Sequence, residues 1–410
     1  MKRSDKNRVL ILLPNAVYPN NGHLRQEALA LIGAGFRVTL ISPRVLGDAN
    51  HPPREELEGV SVFRYPAPPR KFNFLGYAFG YTYTLVAMFL ISFALMLGRG
   101  FDILHIYTPP DALGFIAAFY KLLGKRVVYD HRDLAPEMYH AIFGKNNPRV
   151  YRALVMLEKL CCRVADRVIA PNESYKLIEM HRGGVPADRI HIVRSGPDLN
   201  LIRPVEPDPA LRQPGKTMLG YVGSMGLHDG VDHLLRALHH LAYDLQRTDF
   251  YCVLVGKGKA FEKMVALSQE LRLEPYVNFI GKVKHAEVVT YLSSVDICLA
   301  PEPSNSYNDR STVIKVNEYL ALGKPVVSFD LPEHRVTAQK AAVYARATDE
   351  ADFARKIAWL MDNPQEWPEM SRFGLERARN ELSWSHQVKQ LLAAYDALRR
   401  PRRRFARSQA

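Results

Sequence analysis

The run Thr217-Met218-Leu219-Gly220-Tyr221-Val222-Gly223-Ser224-Met225-Gly226-Leu227-His228-Asp229-Gly230 decides how this chain is organised. Its first six residues form an apolar run of strand length, glycines crowd the stretch that follows, and the apolar spacing of Val231 to Leu245 predicts a helix. Strand, glycine turn and helix in that order open a βα unit of a parallel sheet. Immediately before it, Pro197 to Pro214 holds five prolines and no apolar periodicity, which reads as a linker. The strand at Thr217 is therefore the start of a second domain.

Working outward, the same alternation continues in both directions. Downstream, strands are expected at Tyr251 to Val255, Val277 to Ile280, Ile297 to Ala300 and Pro325 to Phe329, with helices at Phe261 to Leu271, Ala286 to Ser294 and Ser311 to Leu322. Upstream, strands are expected at Arg8 to Leu13, Arg37 to Ser42, Val60 to Tyr65, Ile103 to Tyr107, Arg126 to Asp130, Arg167 to Ala170 and Ile190 to Arg194, with a helix from His23 to Ala34 that Gly35 ends. The class is α/β: two Rossmann-like, doubly wound parallel-sheet domains with ligands expected in a cleft at the carboxyl ends of both sheets. The expected division is 1–200 for the first Rossmann-like domain, 201–214 for the linker and 215–384 for the second. A terminal helix at 385–400 packs back on the first domain, and 401–410 is a basic tail. A length of 410 residues suits two domains of about 100–200 residues each.

The formal charge of +13 predicts attraction to an anionic partner. Much of the excess lies in Arg399 to Arg407, which reads as a solvated tail, and no basic stretch interleaved with stacking aromatics points to nucleic acid. Four cysteines with no C-x-x-C pair suggest neither a disulfide framework nor structural zinc. A polar Met1 to Arg8 leading straight into a buried strand gives no signal for export, so a cytoplasmic location is expected. Phe74 to Leu97 contains no charged residue and is flanked by Arg70, Lys71 and Arg99. It is long enough to cross a bilayer, but the strands on either side of it belong to one sheet, which excludes a span. Two readings stay open: a buried crossover helix, or a helix lying in the inner leaflet with Tyr77, Tyr81 and Tyr83 at the interface.

Four stretches carry candidate chemistry. The loop Asn20-Asn21-Gly22 opens a helix and lets backbone amides approach an anion, though a plain turn glycine is the alternative. Asp130, His131, Arg132 and Asp133 cluster at the end of a strand, where ionisable groups are costly unless solvated in a cleft or paired. Gly220, Gly223, Gly226 and Gly230 leave amides exposed near a helix start, suited to a diphosphate, with Ser224 and His228 between them. Finally, Asn308-Asp309-Arg310-Ser311 leads into a helix on which Lys315 and Glu318 stand at i and i+3, with Ser311 a turn earlier. The lysine suits phosphate and the carboxylate suits ribose hydroxyls, a helix-surface ion pair being the alternative.

In their order and spacing these blocks resemble the retaining glycosyltransferases of family 4, of group 1 type, which have the GT-B fold. The resemblance runs nearly end to end, through Gly22, Tyr129 to Glu137, Ala165 to Ala170, Gly220 to Gly230, and Asn308 to Val327. It implies a nucleotide-diphosphate sugar held by the second domain, an acceptor held by the first, and transfer with retention at the anomeric carbon. It gives Glu318 the ribose, Lys315 and the Gly223 to Gly230 amides the diphosphate, Asp309 or Arg310 the donor sugar or its phosphate, Gly22 close access for the donor, and His131 a place facing the sugar. The chain departs from the pattern at three places. Arg310 stands where many members have glutamate, Ser224 and His228 stand where arginine and lysine are common, and Arg132 replaces the histidine of a His-Asp pair.

No D-x-D motif and no carboxylate pair suited to double displacement occur, so no metal and no resident cofactor are expected. Front-face attack within an oxocarbenium-like ion pair is the expected course, with amides, Lys315 or Arg310 stabilising the leaving diphosphate. His131, Arg132 and Asp133 are the catalytic candidates. Expected partners are a nucleotide sugar, a glycan or lipid-linked acceptor of cell-surface polysaccharide or glycolipid synthesis, and an anionic membrane surface through 74–97. The alternatives are a nucleotide-sugar epimerase of the same fold and a non-catalytic nucleotide-sugar-binding protein.

Overall fold

The structure, a computed structural model, describes residues 7–45, 51–67, 74–144, 147–226 and 228–399. The basic tail and the side chain of Tyr77 lie outside the described residues. The chain divides into two compact units, one running to Pro136, then through 147–193, and resuming at Gln387, the other holding Glu137 onward to 144 and Arg194–His386.

The first unit is built on eight strands: β1 (Arg8–Leu12), β2 (Arg37–Arg44), β3 (Arg54–Leu57), β4 (Val60–Pro66), β5 (Ile103–Thr108), β6 (Arg126–His131), β7 (Arg167–Ala170) and β8 (Ile190–Ile192). Their order is β3-β4-β2-β1-β5-β6-β7-β8, all neighbours parallel except β3 on β4. The unbroken apolar runs follow from burial on both faces: every residue of β5 is buried. Strand β3, Arg-Glu-Glu-Leu, was not expected, since it carries no apolar alternation and is held at the sheet edge by antiparallel pairing to β4. The last helix, Trp384–Arg399, from Gln387 belongs to this unit, where the Tyr395 hydroxyl lies 2.7 Å from His105 Nδ1 and its ring meets Phe36 edge-on at 5.2 Å.

Helix Phe74–Gly98 sits between β4 and β5 of this one sheet, but it is not the buried crossover that was one of its two readings. Phe79, Val86, Leu90 and Leu97 are exposed, and only part of its surface packs, through Phe89 and Phe93 against Phe119 of helix Leu113–Leu122.

The second unit holds β9 (Thr217–Val222), β10 (Phe250–Val255), β11 (Val277–Gly281), β12 (Ile297–Ala300), β13 (Val326–Phe329) and β14 (Ala342–Ala345), ordered β11-β10-β9-β12-β13-β14 and parallel throughout. The period of two is visible in its two cores. Leu219, Tyr221, Cys252, Leu254, Leu299 and Val327 enter one, and Met218, Val222, Tyr251, Val253, Cys298 and Val326 the other. The proline-rich stretch is not loose. Val205 and Asp208 donate backbone N–H groups to Ser293 and Ser294, and Arg212 pairs with Asp296 at 2.9 Å.

One helix start is corrected. Ser311 is not helical: Asn308–Arg310 forms a single tight turn, Ser311 is extended, and the helix runs Ile314–Ala321. The β-branched Thr312 and Val313 precede it, and the Ser311 hydroxyl donates to the Tyr307 carbonyl at 2.8 Å instead of standing a turn below Lys315.

Candidate functional site

In an open parallel sheet the loops part at the point where strand order reverses, which leaves a crevice at the carboxyl ends. In the second unit that point lies between β9 and β12. The loop after β9 is tightly held. Gly223 donates to Val255 O, Gly256 has φ of 136°, and a Cβ on it would stand 1.9 Å from the Gly223 carbonyl oxygen. Gly230 has φ of 73°, and its Cβ would stand 2.0 Å from the Pro301 oxygen. Two of these glycines are thus required by close backbone contact as well as by left-handed φ.

Lys315 reaches from its helix to the underside of this loop. It is buried, with Nζ 2.5 Å from Glu302 Oε1, 3.0 Å from the Tyr221 hydroxyl and 4.2 Å from the centre of the Tyr221 ring. A Cβ on Gly223 would stand 3.2 Å from that Nζ, so only the absence of a side chain lets the ammonium sit against the turn. Burial pushes the lysine pKa down, but Glu302 and Tyr221 outweigh it and the net direction is up. Burial likewise pushes Glu302 up while Lys315 and His334 pull it below its usual value. The pair is ionised. Glu318, half-buried one turn further on, has its carboxyl pushed up to about 7 by burial against the pull of Lys315.

The other donor-side candidates lie on the loops that follow β9 and β12. Ser224 is exposed and its carbonyl accepts from the Tyr221 hydroxyl at 2.6 Å. His228 packs edge-on against Tyr307 at 5.9 Å, and its carbonyl accepts from the buried Asn308 side chain at 3.0 Å. The neighbouring Asp229 caps the turn by accepting from Gly226 N at 2.7 Å. Arg310 donates to Ser306 O at 2.6 Å. Asp309 takes a hydrogen bond from the Ser304 hydroxyl on one carboxylate oxygen, while the other, Oδ1, is buried with no hydrogen-bond partner among the described residues. A cavity of about 430 Å³ between Leu211–Gln213 and Tyr251, Val277 and Asn278 lies at the opposite, amino ends of the strands and takes no part in this site.

In the first unit the order reverses between β1 and β5. Gly22 opens helix Gly22–Gly33, is exposed, and has nothing within 4 Å of where a Cβ would sit. Asn21 caps the helix by accepting from Leu24 N at 3.0 Å. Beneath it lies a buried charge network. Arg132 Nε is 2.6 Å from Asp130, its Nη2 donates to Glu27 at 2.7 Å, and its Nη1 donates to Val193 O at 3.0 Å. His105 Nε2 is 3.3 Å from Asp130. Burial pushes Asp130 up, but Arg132 and His105 outweigh it and hold the carboxyl low, whereas burial and the Asp130 charge raise Glu27. Glu27, His105 and Asp130 have the donor types of a metal site, with ligand atoms within 4.8 Å of one another. The Arg132 guanidinium bonded to both carboxylates supplies the positive charge there, which is poor chemistry for a cation site.

His131 and Arg132 are both engaged by protein groups. His131 is fully buried, its Nδ1 is 3.1 Å from Glu179, its ring stacks on Tyr129 at 4.8 Å, and burial takes its pKa down to about 3, leaving it neutral. Of the three catalytic candidates, Arg132 and Asp133 keep partial exposure. Sequence reasoning missed Glu302, Tyr221 and His334 in the second unit and Glu27 and His105 in the first. The signal for Glu302 was available: a carboxylate directly after a buried strand, in Pro301-Glu302-Pro303, is placed like Asp130.

With that geometry in place, comparison with known proteins is decisive. Residues 22–196 match the model of the glycosyl transferase 4-like domain, and residues 216–363 match that of glycosyl transferases group 1. The chain belongs to the group 1, family 4-type glycosyltransferases. The two matches bracket Gly22 and the Lys315 helix. Over 259 residues the chain is 26% identical to a D-inositol 3-phosphate glycosyltransferase of Nocardia farcinica, covering 58% of this chain and 54% of that relative, so it spans about half the relative's length. Among solved structures, a sucrose-phosphate synthase from Thermosynechococcus elongatus has a TM-score of 0.80 at 19% identity over 96% of this chain and 99% of its own. The HepE protein of Anabaena in complex with UDP-glucose has a TM-score of 0.68 at 17% identity, over 95% and 99%. At these identities the two structures show that this glycosyltransferase shares their GT-B fold.

Proposed function

We propose that the protein transfers a sugar from a nucleotide-diphosphate sugar, held by the second unit, to an acceptor taken up by the first, with retention of anomeric configuration. The observation that carries this reading is the Lys315 ammonium seated against the side-chain-free Gly223 turn at the β9/β12 switch point. Loss of the diphosphate is the charge-developing step, and a fixed cation beside the glycine turn stabilises it without a metal. Glu318 accepts from the ribose hydroxyls, and the unpartnered Asp309 Oδ1, with Arg310, meets the donor sugar or its phosphate. Ser224 and His228 line the same turn, and Gly22 leaves room for the donor to approach the first unit's loop.

The relatives' names favour a uridine donor and a phosphorylated or polyol acceptor as the first to be tried. The exposed apolar surface of helix Phe74–Gly98, with Leu90 61% and Leu97 71% exposed and Leu122 of the neighbouring helix 87% exposed, supports a peripheral site on the inner membrane face and an acceptor of cell-surface polysaccharide or glycolipid synthesis. Thermal unfolding with UDP-, GDP- and ADP-sugars tests the donor, because a cognate ligand raises the midpoint by linkage. Product anomeric configuration by NMR tests retention. Absence of any midpoint shift with all three bases refutes the donor assignment.

A further inference from the structure

The ammonium that would meet the diphosphate is already spoken for in the unliganded protein, and what happens to its partner is written in the next layer of side chains. Glu302 is 3% exposed and His334 is 1% exposed. Glu302 Oε1 holds Lys315, while Oε2 lies 3.7 Å from His334 Nε2, and neither Oε2 nor Nε2 has a hydrogen-bond partner among the described residues. On the far side of the imidazole, Nδ1 is 2.6 Å from the Ser328 hydroxyl, which donates its one proton to the Phe329 carbonyl at 2.8 Å. In the tautomer that this bond to Phe329 selects, the hydroxyl accepts from Nδ1–H. A neutral His334 consequently points a bare lone pair at a bare carboxylate oxygen. Two buried acceptors face each other across a gap that one proton on Nε2 converts into a charged donor and its acceptor. Burial acts most strongly on His334 and opposes the proton, as does Lys315, while Glu302, the Phe329 backbone and Asp309 favour it; the net direction is down.

We propose that Glu302 and His334 are positioning residues for Lys315, and that engagement of Lys315 by a diphosphate is accompanied by uptake of a proton from solvent onto His334 Nε2. The inference rests on the donor-site reading above. As the ammonium turns its charge toward an anion, the field that kept His334 neutral is cancelled and Glu302 is left in need of a partner. The imidazolium supplies it, so no buried carboxylate is stranded at either stage.

Two measurements test this and separate it from the donor assignment. The first needs no ligand: NMR pH titration of histidine-labelled protein, with His334→Gln used to assign the resonance. In Lys315→Met the His334 midpoint should rise by about one unit or more, the response expected when a neighbouring cation is removed. An unmoved midpoint overturns the proposal. The second is calorimetry of UDP binding at one pH in buffers of different ionisation enthalpy. Wild type should take up a sizeable fraction of a proton more than His334→Gln, which keeps Lys315 and Glu302 intact even should Lys315→Met fold poorly. Equal proton counts in the two proteins overturn it. If UDP, GDP and ADP all fail to bind, the donor-site reading falls and the donor-linked proton step falls with it, while the ligand-free titration still reports whether Lys315 and His334 are coupled.

Discussion

Replacing Lys315 with methionine separates what the lysine does for the fold from what it does for the donor. Side-chain exposures of 8% for Lys315 and 4% for Glu302 define a buried pair, and methionine fills similar space without the charge. The Glu302 carboxylate is then left with the His334 imidazole at 3.7 Å as its nearby titratable neighbour. Removing one partner of a buried pair costs about 3–5 kcal/mol. At about 2–4 °C per kcal/mol for a unit of this size, the midpoint should drop by roughly 6–20 °C at pH 8. The double variant Lys315→Met/Glu302→Gln should recover most of the loss, because the stranded charge is gone. The pH sign follows from the same argument. Without the lysine, the folded-state pKa of Glu302 rises above its unfolded value, so stability is kept at low pH and lost as pH rises; the deficit is larger at pH 8 than at pH 6. Scanning calorimetry or fluorimetry of the three proteins with and without UDP reads both effects. Stabilisation by UDP should be absent in the single and the double variant alike. A single variant within about 2 °C of wild type, or a double variant no better than the single, refutes the account of the pair.

Two glycines divide the same way. Gly256→Ala meets a backbone oxygen at 1.9 Å with φ of 136° and should cost about 2 kcal/mol or more, whereas Gly22→Ala has open space and should leave the midpoint unchanged while lowering transfer if the donor passes there; midpoint and rate measured on both variants decide this. Glu318, raised to about 7 from an unfolded value near 4.5, favours the fold while protonated and withdraws that support as pH rises between those values. Glu318→Gln should therefore flatten the pH dependence of stability from pH 4.5 to 7 by about 1–2 kcal/mol after allowance for solvent screening, and a slope equal to wild type counts against the burial of that carboxyl. Leu90→Glu with Leu97→Glu should abolish flotation with anionic vesicles and leave transfer to a soluble acceptor intact; retained flotation refutes the membrane reading of this helix.

What the sequence made legible follows from where the information resides. Parallel strands buried on both faces spell themselves out as apolar runs, so twelve of the fourteen strands among the described residues were readable from the sequence pattern. The two that were not, Arg54–Leu57 and Ala342–Ala345, owe their place to pairing with a neighbour, a property of the sheet and not of their own residues. Lys315 and Glu318 were legible because three residues on a helix fix their relation locally. The contact of Arg132 with Glu27 spans 105 positions and that of His105 with Tyr395 spans 290, and no local pattern encodes either.

The two units nevertheless use one device, and comparing its two versions says which can serve a ligand. Each sets a carboxylate at the carboxyl end of a strand near the switch point, Asp130 in the last residues of β6 beside β5 and Glu302 just beyond β12, and each carboxylate holds a cation. Arg132 is gripped by two carboxylates and a carbonyl oxygen, through three different nitrogens. Drawing it toward a substrate would strand Asp130 and Glu27 together. Lys315 has one carboxylate and a phenol, it lies against a turn kept clear of side chains, and an imidazole with a vacant lone pair stands behind its partner. The second arrangement leaves a cation with one carboxylate to release and a neighbour to cover that carboxylate meanwhile, which is the ground for proposing Lys315 rather than Arg132 as the group that meets the donor.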